Sequence, residues 1–190
     1  MKEKKSAGRE IIDWMLHIGT AVLAGLLIVN FIMQFVIVHK TSMRPTLDDG
    51  DILVIEKIMP RFGTIDRGDI ITINDVQIMP GLTETLIKRV IAVGNDKIEI
   101  SDGKVYVNGE VLDEPYINGD RTFSVKGEYS SMTVPEGYIY VMGDNRLPGE
   151  SYDSRSIGPV SVKNIGGRVI LRLLPLMKFG LVLKTAQQVY

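Results

Sequence analysis

Three segments of the sequence hold the side chains that could carry out a reaction, and they pair a serine with a lysine. The segment HKTSMRPTLDDGD at 39–51 contains Ser42 shortly before a proline, which favours a rigid turn. The segment TLIKRVIAV at 85–93 places Lys88 within a run that is apolar on both sides. The segment MGDNRLPGESYDSR at 142–155 is dense in Asp, Asn, Ser and Arg, whose side chains can orient a catalytic group by hydrogen bonding. The chemistry to consider first is therefore a serine nucleophile served by a lysine base.

Lysine is the base that this sequence offers to a serine. The chain has no cysteine and only two histidines, which leaves little for a cysteine nucleophile or a histidine triad. An ordinary lysine, with a pKa of ~10.4, is protonated near neutral pH and cannot accept the serine proton. Burial disfavours the charged form and lowers that pKa, and lowering it to about 8 requires roughly 3 kcal/mol. The apolar neighbours of Lys88 are therefore the surroundings that a lysine base needs.

The run around Lys88 is predicted to be a β-strand. Its period of two puts Lys88 on one face and turns Arg89 to the other, where the guanidinium needs a carboxylate partner. The residues predicted to share the face of Lys88 are Leu86, Val90 and Ala92. Each segment also has a purely structural interpretation: a serine in an ordinary turn, a lysine at a strand edge with its ammonium in water, and a simple polar turn.

A single apolar segment from Trp14 to Val38 is long enough to cross a bilayer core, which takes ~20 residues. The basic residues that precede it, and that keep this end in the cytoplasm by the positive-inside rule, are Lys2, Lys4, Lys5 and Arg9. The sequence thus predicts a cytoplasmic tail over 1–13, a transmembrane anchor over 14–38 and an extracytoplasmic domain over 39–190. A cleaved secretory signal would be shorter and followed by small residues, and a buried helix of a soluble protein would be less apolar around its circumference.

The rest of the chain is predicted to be mostly β. Short runs rich in Ile, Val and Tyr recur at 52–58, 68–74, 85–93, 96–100, 104–109, 137–145 and 166–174. Asp102-Gly103 and Asn108-Gly109 are hairpin signals. A more polar stretch predicts an inserted β and loop subdomain over about 95–135. The C-terminal apolar run at 168–183 predicts a final strand followed by a segment lying at the membrane interface, with a second span as the alternative.

The composition excludes one broad class of partner. With 22 basic and 23 acidic residues the net charge is −1, so no overall attraction to nucleic acid is expected. The shortage of histidine and cysteine also leaves little for a metal site, and a serine and lysine reaction uses neither metal nor cofactor.

At these residues the chain resembles the type I signal peptidases, the bacterial leader peptidases. SMRPTL at 42–47 is similar to the Ser-Met-x-Pro-Thr-Leu box of that family, and KRVIAVGND at 88–96 is similar to its lysine box. GDNR at 143–146 with SYDSR at 151–155 is similar to its Gly-Asp-Asn-Arg and Ser-x-Asp-Ser-Arg box. The chain departs from the family pattern at Val93 to Asp96, where Pro-Gly-Asp is usual, and in a longer loop before Ser151.

The resemblance implies roles for individual residues. Ser42 would be the nucleophile, with its own backbone N–H as one oxyanion donor, and Lys88 the general base. Ser151 would orient the lysine amine. The structural neighbours implied are Asp153 and Arg155, with Arg89 in the same set of ion pairs. Two residues before the nucleophile, where some members have a serine as a second oxyanion donor, this chain has Lys40, and Thr41 could substitute only with its hydroxyl turned inward.

The activity implied is removal of N-terminal signal peptides from secreted preproteins at the outer membrane surface. The substrate would bind as an added strand, and the residues predicted to form the pocket wall are Val38, Met43, Leu86 and Ile87. The partners are then the preprotein and the lipid bilayer, with a secretion translocon as a candidate. Three alternatives stay open: an anchored β domain that only binds, a self-cleaving Ser–Lys regulator of the SOS-repressor kind, and a peptidase dedicated to one secreted protein.

Overall fold

The N-terminal part of the molecule is one long apolar helix. The computed structural model describes residues 7–58 and 65–182. Helix α1 spans Ala7–Leu27 and continues as a π-helical turn, Ile28–Ile32. The 25 residues of Gly8–Ile32 contain an 18-residue window with a mean hydropathy of 2.1, and this helix is long and apolar enough to cross a membrane. No other helix in the described ranges meets that criterion.

The helix ends earlier than the sequence predicted. The anchor was expected to run to Val38, but Met33–Ile37 forms strand β1 and pairs antiparallel with β2, Ile52–Glu56. A short apolar run is compatible with either helix or strand, and the pairing partner decides between them. Helix α1 begins at Ala7, before Trp14, and because a helix can extend beyond the bilayer, the start of the membrane span at 14 stays a prediction.

The body of the molecule is built from antiparallel strands, which confirms the predicted mostly β fold. After β1 and β2, the strands are β3 Ile70–Met79, β4 Leu82–Val93, β5 Lys97–Ser101, β6 Lys104–Val107, β7 Glu110–Val111, β8 Ser131–Thr133, β9 Tyr138–Met142, β10 Val160–Ser161, β11 Ile165–Leu174 and β12 Gly180–Leu181. Short helical turns lie at Gly127–Ser130, Ser154–Ile157, Val162–Asn164 and Leu176–Lys178.

The strands form two sheets. The larger has the order β1-β2-β11-β3-β4-β9-β10, with β12 paired to β11, and the smaller has the order β7-β6-β5-β8. All strands of the smaller sheet lie in the chain between β4 and β9, which are neighbours in the larger one, so the smaller sheet occupies the stretch predicted as an insertion. Both predicted hairpins are confirmed: Asp102-Gly103 and Asn108-Gly109 each have two positive φ values, as a type I′ turn requires.

The core keeps the two predicted catalytic segments in place. One cluster packs the loop after β1 against β2 and β3, and its buried members include Met43 and Leu47. A second cluster packs Leu86 and Val90 of β4 against β3 and β9. Because the residues flanking Ser42 and Lys88 are buried in these clusters, the two side chains are held on rigid elements.

Candidate active site

Ser42 lies in a loop whose backbone is closed on both sides. The N–H of Val38 donates to the carbonyl of Asp51 at 2.9 Å, and the N–H of Gly50 donates back to the carbonyl of Val38 at 2.9 Å. Within the loop, the N–H of Leu47 donates to the carbonyl of Met43 at 2.9 Å. The candidate nucleophile therefore lies on a short turn that backbone hydrogen bonds hold in place, as the proline after it predicted.

Lys88 meets Ser42 although the two residues are 46 positions apart in the chain. The Lys88 Nζ donates to the Ser42 Oγ at 2.7 Å, which is a normal hydrogen-bond distance between a nucleophile and its base. The lysine is only 2% exposed. Its strand, β4, is held by β3 on one side and from Arg89 onward by β9 on the other.

The surroundings of Lys88 favour its neutral form. Burial is the largest influence and lowers the pKa of Lys88 to about 8, while the negative charge of Asp153 opposes this and the positive charge of Lys40 adds to it.

The sequence predicted that Lys88 shares an apolar face of its strand with Leu86, Val90 and Ala92, and this holds for Leu86 and Val90. A register shift between Val90 and Ala92 then changes the face, so Ala92 packs in a different cluster.

Arg89 has the carboxylate partner that the strand pattern required, and the partner is Asp144. The Arg89 Nε and Nη2 donate to the two Asp144 oxygens at 2.8 and 2.7 Å, and both side chains are fully buried. The Thr46 hydroxyl donates to the same carboxylate at 2.5 Å, which joins the pair to the Ser42 loop. The expectation that Arg89 shares an ion-pair set with Arg155 is corrected: the strand turns it toward the other carboxylate.

Asp153 and Arg155 form a second buried pair on the side of Lys88. The Arg155 Nε and Nη2 donate to the two Asp153 oxygens at 2.9 and 2.8 Å. Burial raises the pKa of the Asp153 carboxyl, but the Arg155 guanidinium, the Ser151 hydroxyl and the Gly143 N–H outweigh it and hold that pKa below its ordinary value. The carboxylate is therefore charged wherever Lys88 would work.

Ser151 hydrogen bonds to the Asp153 carboxylate, and that carboxylate in turn acts on Lys88 through its charge. Its Oγ donates to the Asp153 Oδ2 at 2.6 Å, and the charge on Asp153 raises the pKa of Lys88. The implied direct bond from the Ser151 hydroxyl to the amine stays a prediction.

Gly143 and Asn145 are parts of the site to which the sequence assigned no role. A Cβ on Gly143 would lie 2.3 Å from the Ser151 Oγ and 2.4 Å from the Ser42 carbonyl oxygen, so only glycine fits there. The Asn145 N–H donates to the Ser42 carbonyl at 3.0 Å, and its side-chain amide donates to the Thr41 carbonyl at 3.1 Å. The GDNR tetrapeptide at 143–146 contains both residues, but their contacts are with residues far away in the chain, so their roles could not be predicted from it.

Thr41 makes a contact that bears on the second oxyanion donor. Its hydroxyl donates to Glu150 at 2.8 Å, on the loop before Ser151. The inward orientation that a donor role would need is therefore not the one adopted.

A cleft of about 410 Å³ opens beside the Ser42 and Lys88 pair. One wall is the end of β1 and the residues after it, and the other is the first half of β4. All four residues predicted for the pocket wall line it: Val38, Met43, Leu86 and Ile87. In the described ranges no group of three or more His, Cys, Asp or Glu side chains is arranged to hold a metal ion.

Comparison with known proteins gives a consistent result. The family described as "Signal peptidase, peptidase S26" matches residues 11–174. The chain is 35% identical to a probable signal peptidase I-2 from Synechocystis, over 89% of this chain and 76% of that protein. It is 34% identical to a signal peptidase I from Bacillus licheniformis, over 88% of this chain and 91% of that protein, and 34% identical to one from Bacillus caldolyticus, over 94% and 97%.

Proposed function

This chain belongs to the signal peptidase family, peptidase S26, and from that premise we propose that it cleaves signal peptides from preproteins with Ser42 as nucleophile and Lys88 as general base. The observation that carries the proposal is the 2.7 Å hydrogen bond from the Lys88 Nζ to the Ser42 Oγ within a buried, apolar environment. Membership of the family makes the protein a serine endopeptidase; the identity of the dyad is the proposed part.

The reaction follows from the protonation state of Lys88. The neutral amine takes the proton of the Ser42 hydroxyl as the oxygen attacks the scissile carbonyl carbon. The resulting oxyanion accepts a hydrogen bond from the Ser42 backbone N–H. The Lys88 ammonium then gives its proton to the leaving amine, the C–N bond breaks, and an acyl-enzyme forms. Water, deprotonated by the same amine, attacks the ester, and the serine hydroxyl is regenerated as the acid leaves.

The cleft favours a substrate in extended conformation. Strand β1 is the first strand of its sheet and pairs with β2 alone, and β4 pairs with β9 only from Arg89 onward in the described part of the chain. Backbone groups on both walls are thus available to an added strand, which leads the scissile bond to Ser42. Apolar walls next to the dyad suit the small residues that precede a signal-peptide cut.

We propose that the helix anchors the enzyme with its N-terminus in the cytoplasm and the β body outside. The basic residues before the helix support this orientation, and confinement to the bilayer raises the effective concentration of membrane-bound preprotein. Because the chain lacks cysteine, single-cysteine variants test the orientation directly. An impermeant maleimide should label Lys104→Cys in intact cells and Lys4→Cys only after lysis; the reverse pattern would contradict the orientation.

The dyad is tested by cleavage of a signal-bearing preprotein in detergent. Ser42→Ala and Lys88→Met should each lower kcat/KM on the order of 10³-fold or more. Ser101→Ala and Lys97→Met, which lie in the smaller sheet, serve as matched controls and should cleave at the wild-type rate. Retention of activity in Lys88→Met would remove the lysine from its role, and an inactive wild type would favour a domain that only binds.

A further inference from the structure

A second, smaller cavity continues the substrate cleft. This inner pocket has a volume of about 220 Å³ and shares two lining residues, Val36 and Thr85, with the cleft beside Ser42 and Lys88. Its walls come from five segments of the larger sheet, and most of its lining side chains are polar. The polar side chains that line it are those of Gln34, Lys57, Thr72, Asn74 and Thr85. The cleft therefore has apolar walls next to the dyad and leads into a polar pocket further along.

The face of β1 that lines the cleft also lines the inner pocket. Gln34, Val36 and Val38 are two residues apart, so their side chains lie on one face of the strand. Val38 is buried in the core cluster between the loop after β1 and strands β2 and β3, and Val36 packs against that cluster, so this face points into the body of the molecule. The alternate residues Phe35 and Ile37 are more than half exposed on the other face.

The order of residues along β1 decides which part of a substrate reaches the inner pocket. Strand β1 follows the N-terminal helix directly, so Gln34 lies at the helix end of the strand and Val38 at the end near Ser42. The apolar segment of a signal peptide lies in the same bilayer as that helix and precedes the cut. A bound signal peptide therefore runs from the Gln34 end toward Ser42, with the residues before the cut alongside β1.

Strand geometry then assigns one substrate residue to the inner pocket. Val38 and Gln34 are four residues apart, which is about 13 Å in a strand, and an added strand advances by the same step. When the residue before the cut lies beside Val38, the third residue before the cut lies beside Val36 and the fifth beside Gln34. Because side chains alternate along an extended peptide, the fifth points to the inner pocket and the fourth to the exposed face of Phe35 and Ile37.

The lining of the inner pocket suits a side chain that accepts hydrogen bonds. A Cβ on Gly166 would lie 2.8 Å from the Thr72 Oγ1 and 2.9 Å from the Asn74 Nδ2, so the glycine leaves these polar atoms open to the pocket. Lys57 is half-buried, and its ammonium donates to the Val29 carbonyl at 3.2 Å, which leaves two further hydrogens for a ligand. Among the described residues that line the pocket, Lys57 is the one that carries a charge.

We propose that the inner pocket is a specificity subsite for the fifth residue before the cut, and that it selects a side chain with a hydrogen-bond acceptor, glutamine or glutamate, over leucine or lysine. The inference rests on the proposed function and adds a subsite to it. A leucine would cover the polar lining without hydrogen bonds, and a lysine would meet the like charge of Lys57.

The test compares signal-bearing preproteins that differ only at the fifth residue before the cut, cleaved by the full chain in detergent. Glutamine should give a kcat/KM about three- to tenfold above that of leucine, because leucine leaves polar groups unpaired. Glutamate should exceed lysine by about two- to fivefold, since a half-exposed charge pair is weak. The same four residues placed at the fourth position before the cut are the matched control and should be cleaved at nearly equal rates.

Enzyme variants connect the charge preference to Lys57. Lys57→Glu should reverse it, so that the preprotein with lysine at the fifth position is cleaved faster than the one with glutamate. Lys97→Glu, the same change of charge in the smaller sheet, should keep the wild-type preference. Each preference is a ratio between two substrates measured with one enzyme, so a variant that folds in lower yield still reports it.

The outcomes are distinguishable. The subsite is overturned by equal kcat/KM values for glutamine and leucine at the fifth position, by equal sensitivity at the fourth position, or by an unchanged charge preference in Lys57→Glu. If the wild type cleaves none of the preproteins, or Ser42→Ala cleaves as well as the wild type, the proposed function itself fails. If cleavage requires Ser42 but is indifferent to the fifth residue, only this inference fails.

Discussion

Replacing Lys88 with methionine removes the ammonium group and keeps a side chain of similar length in the same buried position. We expect this change to abolish cleavage and, at the same time, to stabilise the fold near neutral pH. The reason is that a buried base that must lose its proton at about pH 8 is an unfavourable cation at pH 7.

The magnitude follows from the lowered pKa of Lys88, which falls from 10.5 in the unfolded chain to about 8. At ~1.36 kcal/mol per pH unit, the burial of the charged form costs about 3 kcal/mol at pH 7. Loss of the hydrogen bond to Ser42 offsets about 1 kcal/mol of that. Lys88→Met should therefore raise the free energy of unfolding at pH 7 by about 2 kcal/mol.

The same reasoning gives a pH dependence. Below pH 8 both states of the wild type carry the Lys88 proton and the full cost is present. Between about 8 and 10.5 the folded state has lost the proton while the unfolded state keeps it, so stability rises with pH. The wild type should gain about 2 kcal/mol between pH 7 and 10, and Lys88→Met should lack this gain. Burial raises the pKa of Tyr116 and Tyr140 in the folded state, so their ionisation in the unfolded chain lowers stability as the pH approaches 10. Lys88→Met keeps both tyrosines, and the difference between it and the wild type therefore reports the lysine alone.

The assay is urea unfolding of the detergent-solubilised chain, followed by far-ultraviolet circular dichroism at several pH values from 7 to 10. Lys97→Met, an exposed lysine on β5, is the matched control and should behave as the wild type. The reasoning would be refuted if Lys88→Met were less stable than the wild type at pH 7. A wild-type stability that stays flat from pH 7 to 10 would refute it equally.

Two other substitutions test the shell around the dyad. Gly143→Ala introduces a Cβ within 2.4 Å of the Ser42 carbonyl oxygen, so it should lower the free energy of unfolding by about 1–3 kcal/mol and the rate of cleavage more than 10-fold. Urea unfolding and preprotein turnover measure the two effects. Wild-type values for both would show that the loop has room to move. Asp153→Asn leaves the Arg155 guanidinium buried without its partner, which should cost about 3–5 kcal/mol. It also removes the charge that raises the pKa of Lys88, so the acidic limb of kcat/KM should move to lower pH, and a limb that moves up would contradict the assignment.

Local patterns in the sequence were sufficient for the strands and the tight turns. Alternation of apolar residues and the dipeptides Asp102-Gly103 and Asn108-Gly109 act over a few residues, and the structure has strands and hairpins where they predict them. The point at which the N-terminal helix ends could not be predicted from such a pattern. An apolar run continues through Val38, and only the pairing of β1 with β2 turns Met33–Ile37 into a strand.

The sequence by itself determined which side chains could react. The absence of cysteine and the shortage of histidine left lysine as the base for Ser42, and the apolar run around Lys88 indicated how that lysine would become neutral. The period of β4 also required that Arg89 find a carboxylate. These conclusions depend on residue type and short-range spacing, which are properties of the chain before it folds.

The tertiary structure decided which groups meet. It paired Arg89 with Asp144 and not with the Asp153 set, made Gly143 the point where Ser42 and Ser151 approach, and carried Lys40 across the cleft to Glu84. These contacts join residues that are far apart in the chain, so their partners depend on the order and twist of the strands and not on neighbouring residues. Electrostatics at the site follows from the same distances, and for that reason the charges acting on Lys88 could be named only in the folded molecule.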